Sequence, residues 1–166
     1  RRLLCLHSRH MLMENLILSF RILTAALALA SLSFGAQASE CEVSVDANDM
    51  MQFSATTLSV PATCKEVKLT LNHTGKLPAQ SMGHNVVITD TAALQAVGTE
   101  GMSAGASNDY VKPNDERVYA HTKVIGGGES TTITFSTEKM KAGGDYSFFC
   151  SFPGHWAIMK GKFEFK

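Results

Sequence analysis

The chain has 166 residues, with 15 basic and 15 acidic side chains and a formal net charge of zero at pH 7. Without a basic excess it is a poor candidate for nucleic-acid binding. Its length suits one hydrophobic core better than two.

The N-terminal stretch reads as an export signal. From Met13, "MENLILSFRILTAALALASLSFGAQASE" has one basic residue, Arg21, an apolar run from Ile22 to Phe34, and the small-x-small triplet Ala36-Gln37-Ala38. That is the order of a secretory signal peptide, and the run is shorter than the ~20 residues a spanning helix needs. We expect translation to start at Met13 with residues 1–12 upstream of it. Residues 1–38 are then removed, leaving a mature protein from Ser39 that forms one domain, 39–166. Glu40 occupies the position before Cys41 where a lipid-anchor signal needs a small residue, so no stable membrane anchor is expected. The leader holds four of the 15 basic and one of the 15 acidic residues, so 39–166 keeps 11 against 14, or net −3 with His neutral.

Short alternating runs follow, separated by turn residues. "CEVSVDAND" alternates Val43 and Val45 with polar neighbours, and "KEVKLTLNH" places Val67, Leu69 and Leu71 on one face. "HNVVITD" is a denser apolar run, suited to a strand buried on both sides. After it, "TAALQAVGTEGMSAGA" is alanine-rich, follows a possible N-cap at Asp90, and spaces Leu94 and Val97 three apart. We read it as one short helix in a long connection. "RVYAHTKVI", "STTITFS", "DYSFFCS" and "GKFEFK" resume the period of two. Pro61, Gly75, Gly126-Gly127-Gly128 and Gly143-Gly144 punctuate the runs. The pattern predicts an all-β antiparallel sandwich or barrel.

The leader also takes Cys5, so three cysteines remain: Cys41, Cys64 and Cys150. An oxidising compartment pairs cysteines, and three leave one over. Cys41 and Cys64 each begin a strand-like run, while Cys150 sits among candidate ligands. We therefore pair Cys41 with Cys64, closing a loop of about 24 residues and stabilising the fold by about 3 kcal/mol.

The free Cys150 opens "CSFPGHWAIM", which adds His155 and Met159 within ten residues. Alone, each has an ordinary explanation: an inert buried thiol, a loop histidine after Pro153-Gly154, a core methionine. Together, a thiolate, an imidazole and a thioether suit a soft or borderline metal, copper before zinc, since zinc has little use for a thioether. A blue-copper site needs two His and one Cys in a plane with a distant Met on the axis. The second histidine must be His73, His84 or His121. Gly83 and the start of an apolar strand favour His84, while His73 and His121 sit at a strand end and mid-strand.

These residues, "GHN" at 83–85 and Cys150-x4-His155-x3-Met159 around "CSFPGH", resemble the cupredoxin family of bacterial blue-copper proteins. The likeness extends to "ECEVSVDANDMMQF", the early cysteine pair, the inserted helix and the closing "KGKFEFK". It implies a Greek-key sandwich of about eight strands with one short inserted helix and one copper ion near one end. It implies His84, Cys150 and His155 as equatorial ligands, Met159 as the axial sulfur and the Gly83 carbonyl opposite it. Asn85 would brace the two ligand-bearing loops, with the N–H groups of Asn85 and Phe152 directed at the cysteine sulfur. Two departures stand out. Val86 and Val87 follow Asn85 where family members often carry a tryptophan, so that Trp156, beside the copper, is the only one. Ser151 stands where threonine is frequent and keeps the hydroxyl.

The implied function is periplasmic electron transfer through Cu(I)/Cu(II) by a monomer that is not an enzyme. The implied partners are c-type cytochromes and periplasmic reductases or dehydrogenases, docking briefly. Met51, Met82, Met102, Phe152 and Ala157, with Leu77 and Pro153, would ring His155 as an apolar docking patch and make it the electron's exit. A histidine at the position of His73 would lie beside the copper loops, where its protonation would couple to potential. Three rivals have less support. A Cys150–His155 hydrolase needs an oriented base and an oxyanion site, and neither Met159 nor the leader supports it. A copper buffer would use more exchangeable ligands, and a metal-free stapled module leaves Cys150 unexplained.

Overall fold

The alternation in "KEVKLTLNH" sends Val67, Leu69, Leu71 and His73 to one face, and all four are buried. In the computed structural model of the protein, which describes residues 40–166, this run is the fourth of nine strands. They are β1 (Glu42–Asn48), β2 (Gln52–Phe53), β3 (Thr57–Val60), β4 (Glu66–His73), β5 (Val87–Asp90), β6 (Val118–His121), β7 (Ser130–Ser136), β8 (Tyr146–Phe149) and β9 (Lys160–Phe165). The export signal, Met13, the cleavage site and Cys5 lie outside the described residues.

One sheet has the order β2-β1-β4-β7 and the other β3-β9-β8-β5-β6. The chain crosses between them after β2, β3, β4, β6 and β7, giving the expected Greek-key sandwich. Two pairings depart from the antiparallel expectation: β1 runs parallel to β4, and β3 parallel to β9. Parallel neighbours need a crossover rather than a tight hairpin, and each of these pairs is joined through the opposite sheet. The strand count exceeds the expected eight by the two-residue β2, which pairs with the end of β1.

The sandwich core gathers Val45, Val60, Val67, Leu69, Leu71, Val86, Ile88, Phe148 and Phe163. β8 is buried at every position and β5 at all but Asp90, as the dense run "NVVI" requires. The reason is the inserted helix. A 3-10 turn (Thr91–Ala93) leads into α2 (Leu94–Ala104), the longer of the two α-helices among the described residues, preceded in the chain by the four-residue α1 (Ala79–Met82). Leu94 and Val97 of α2 cover the outer face of the second sheet with Val87, Val111 and Phe149. Val86 and Val87 thus face two different clusters, and both are fully buried. Asp90 precedes the 3-10 turn but makes no capping bond; its carboxylate instead accepts a hydrogen bond from the Tyr119 hydroxyl at 3.1 Å. Gly105 ends α2 with φ +76°, a conformation open to glycine.

Cys41 and Cys64 form the expected disulfide, tying the start of β1 to the loop before β4 with Cα atoms 5.6 Å apart. Cys150 is free and fully buried. No helix among the described residues is long and apolar enough to cross a membrane.

Candidate metal centre

Three segments deliver the site to one end of the sandwich. The first is Gly83-His84-Asn85, between α1 and β5. A side chain at Gly83 would fall 2.4 Å from the Ala79 carbonyl oxygen and 2.5 Å from Val124, so only glycine fits. His84 then pairs with Ile125 through two backbone hydrogen bonds, of 3.0 and 2.9 Å. The second segment is Cys150–Met159, closed where the Cys150 N–H donates to the Met159 carbonyl at 3.0 Å. Within it, Gly154 at φ +83° turns the chain into a 3-10 turn, His155–Ala157. The Met159 N–H donates back to the His155 carbonyl at 2.8 Å. The third segment, Asp109-Tyr110, holds two successive non-glycine residues in left-handed conformation, with φ +54° and +53°. Such pairs are costly for L-residues and need support from their surroundings.

Asn85 joins all three. Its Oδ1 accepts from the Ser151 N–H at 2.8 Å, and its Nδ2 donates to Ser151 Oγ at 2.8 Å and to the Asp109 carbonyl at 2.9 Å. The hydroxyl kept at Ser151 is thus in use. The bracing role expected for Asn85 matches this geometry, whereas the third arm through Asp109 has no local sequence signature.

The structure brings His84, Cys150 and His155 together, all buried, with ligand atoms within 4.8 Å of one another. His84 Nδ1 lies 3.7 Å and His155 Nδ1 3.6 Å from the Cys150 Sγ. With metal–ligand distances of about 2.0–2.3 Å, these separations would let one ion reach the sulfur and both nitrogens. The tautomer is right as well. His84 Nε2 donates to the Asn48 carbonyl at 2.8 Å, leaving Nδ1 with its lone pair toward the sulfur. Sequence reasoning missed Asn48, whose carbonyl is recognisable only once β1 ends beside the site. The Gly83 carbonyl lies 3.9 Å from the sulfur. Met159 is buried at the foot of the loop.

The other two histidine candidates part company. His121 is exposed on β6 and turns Nδ1 to the Thr122 carbonyl. His73 is buried and stacks on His84 with centroids 4.5 Å apart. Its Nε2 donates to the Met82 carbonyl at 2.8 Å and its Nδ1 accepts from the Gly75 N–H at 3.1 Å. His73 therefore backs His84 rather than joining the cluster.

Charge is scarce here. Burial pushes the Cys150 thiol up to about 12, opposed by the nearby backbone N–H groups of Asn85 and Phe152. Burial pulls His84 down from 6.5 to about 4, against the bond to Asn48, and lowers His155 too. Two neutral imidazoles and a dry thiol fit a cation that brings its own charge and displaces the thiol proton.

Residues 39–166 match the family described as copper binding proteins, plastocyanin/azurin family. The chain belongs to this family. It is 58% identical to azurin of Alcaligenes faecalis over 124 residues, covering 75% of this chain and 97% of that protein. To azurin of Pseudomonas aeruginosa it is 47% identical over 146 residues, covering 88% and 99%. Among solved structures, an azurin (Az-iso2) from Methylomonas sp. strain J aligns with TM-score 0.73 and 40% identity over 76% of this chain and 98% of that one. The cupredoxin resemblance, the Greek-key fold and copper as cofactor therefore stand, and the function is blue-copper electron transfer.

The metal-free protein should lose stability on acidification in a defined window. The unfolded chain binds protons at these histidines near pH 6.5, whereas the folded His84 stays neutral until about 4. Between those values the unfolded state holds the extra protons, so stability falls as pH falls. Urea midpoints of metal-free protein should be level between about pH 7 and 8 and decline from 6.5 toward 4; a midpoint constant to pH 4.5 would contradict the buried neutral imidazoles.

Proposed function

We propose that this chain is an exported, periplasmic electron carrier that holds copper with His84 Nδ1, Cys150 Sγ and His155 Nδ1. The Met159 thioether and the Gly83 carbonyl would add the remaining contacts. The observation that carries this assignment is the convergence of two unprotonated imidazole nitrogens on one buried thiol, at 3.6 and 3.7 Å. When bound, copper supplies a one-electron couple between Cu(I) and Cu(II).

The protein's own residues do the rest. Asn85 and Ser151 hold the two ligand-bearing segments at one spacing, which suits both oxidation states and keeps rearrangement on transfer small. The N–H groups of Asn85 and Phe152 take up part of the thiolate charge and tune the potential. His84 is sealed and bonded to Asn48, whereas His155 keeps 4% of its surface exposed. We therefore take His155 as the electron's exit. Five protein contacts to one ion would leave no position for a substrate, in contrast to a catalytic metal site, which argues for an electron carrier over an enzyme.

The partners we propose are c-type cytochromes and periplasmic reductases or dehydrogenases, meeting a monomer in brief encounters. The docking face would be the apolar residues about His155. Met102 and Leu77 are exposed (43% and 42%), as are Pro153 and Ala157. Met82 and Phe152 are half-buried, and Met51 packs partly into the core. Export rests on the signal-peptide pattern of residues 13–38.

Copper(II) added to residues 39–166 should produce a strong red-region absorption, bleached by reductant and lost in Cys150→Ser. A folded wild-type protein without that band would remove the copper assignment. Met102→Lys should lower the rate constant with a c-type cytochrome by about tenfold, within the ~1–3 decades over which association varies among mutants of one interface. An unchanged rate would show that docking occurs elsewhere.

A further inference from the structure

The 3-10 turn that carries His155 also carries Trp156, the only tryptophan in the chain. Trp156 is half-buried and packs on the cluster that α2 forms with the outer face of the second sheet. Its seat is Gly98, which is itself buried. A Cβ placed on Gly98 would lie 2.7 Å from Trp156 Cγ and 3.0 Å from both its Cβ and Cδ1. Cβ and Cγ are the root of the side chain, not its far end. A change of rotamer moves Cγ and the indole but leaves the 3.0 Å contact to Cβ, so full relief also needs the backbone of the turn or of α2 to give by a few tenths of an ångström.

That backbone also holds the ligand. The His155 N–H donates to the Phe152 carbonyl at 2.9 Å, and the His155 carbonyl accepts from the N–H groups of Ile158 and Met159 at 3.0 and 2.8 Å. The His155 ring lies against Phe152 and His84, with centroids 4.7 and 5.1 Å away. Those contacts face the site and leave the outer side of the turn to Trp156. Glycine at 98 is also locally unfavourable, since alanine is the better helix former. Its place in the middle of α2 is accounted for by the indole.

We infer that Gly98 and Trp156 are a positioning pair, through which the inserted helix sets the place of His155 at the metal. The inference rests on the copper assignment above. It gives α2 a role in tuning the electron-transfer site without touching the metal.

The test is a double-mutant cycle with Gly98→Ala, Trp156→Ala and both together. Tryptophan emission is read on the metal-free protein; copper hyperfine splitting and reduction potential are read on the loaded one. Gly98→Ala should move the emission to longer wavelength and shift the splitting and the potential. Trp156→Ala should shift both copper properties, and Gly98→Ala should add nothing in that background, because coupled contacts are not additive. Trp156→Phe should restore most of the wild-type signature, and Ser103→Ala, on the exposed face of α2, should change neither property. The inference fails if Gly98→Ala moves the emission but leaves the copper properties at wild-type values, or if the two single shifts simply add. Should Gly98→Ala not fold, wild-type copper properties in Trp156→Ala would overturn it alone. A wild-type protein that gives no copper signal at all refutes the copper assignment instead, while metal-free emission still reports whether the seat exists.

Discussion

The site depends on one buried amide. Asn85 reaches across 66 residues of sequence to Ser151 with two hydrogen bonds of 2.8 Å, and it binds the Asp109 carbonyl at 2.9 Å with its remaining donor. In a dry interior such bonds strengthen, and losing any partner leaves a buried polar group unsatisfied. The two ligand-bearing segments are therefore spaced by the protein, whether or not a metal holds them. The left-handed Asp109-Tyr110 pair makes sense in this light, since its strain places a carbonyl where Asn85 needs an acceptor.

A second constraint is electrical. A buried cluster of one thiol and the two imidazoles of His84 and His155 is tolerable only if its members stay neutral. Burial keeps the Cys150 thiol protonated and His84 and His155 unprotonated at neutral pH. His73 shows why a non-ligand imidazole is suited to this place. Gly75 donates to one of its nitrogens and the Met82 carbonyl accepts from the other, so both ring nitrogens are hydrogen-bonded while the ring stacks on His84. A bound cation would bring charge into this buried cluster and displace the thiol proton as it does so.

Much of this was legible in the sequence because it is local. Alternation in "KEVKLTLNH" and the dense "NVVI" run reported which faces are buried, and the spacing Cys150-x4-His155-x3-Met159 reported the ligand loop. Gly83 before His84 was a usable clue because a close approach to Ala79 and Val124 admits no side chain. What stayed hidden depends on distant pairing. The short β3 carries only Leu58 and Val60 on its buried face, too little periodicity to stand out. The parallel β1–β4 and β3–β9 pairs follow from crossovers that no local pattern encodes. Asn48, Asp109 and Gly98 look like ordinary loop and helix residues until the fold sets them beside His84, Asn85 and Trp156.

The central claim is that the protein, rather than the metal, sets the spacing of the ligands. Crystal structures of the metal-free and copper-loaded forms would test it most directly. The account predicts that His84 Nδ1, Cys150 Sγ and His155 Nδ1 keep their mutual distances within about 0.5 Å, the tolerance of a preorganised site. It also predicts that the Asn85–Ser151 bonds persist in both forms. A metal-free structure in which the segment 150–159 swings away or loses those bonds would contradict it, and would make copper itself the organiser of the site.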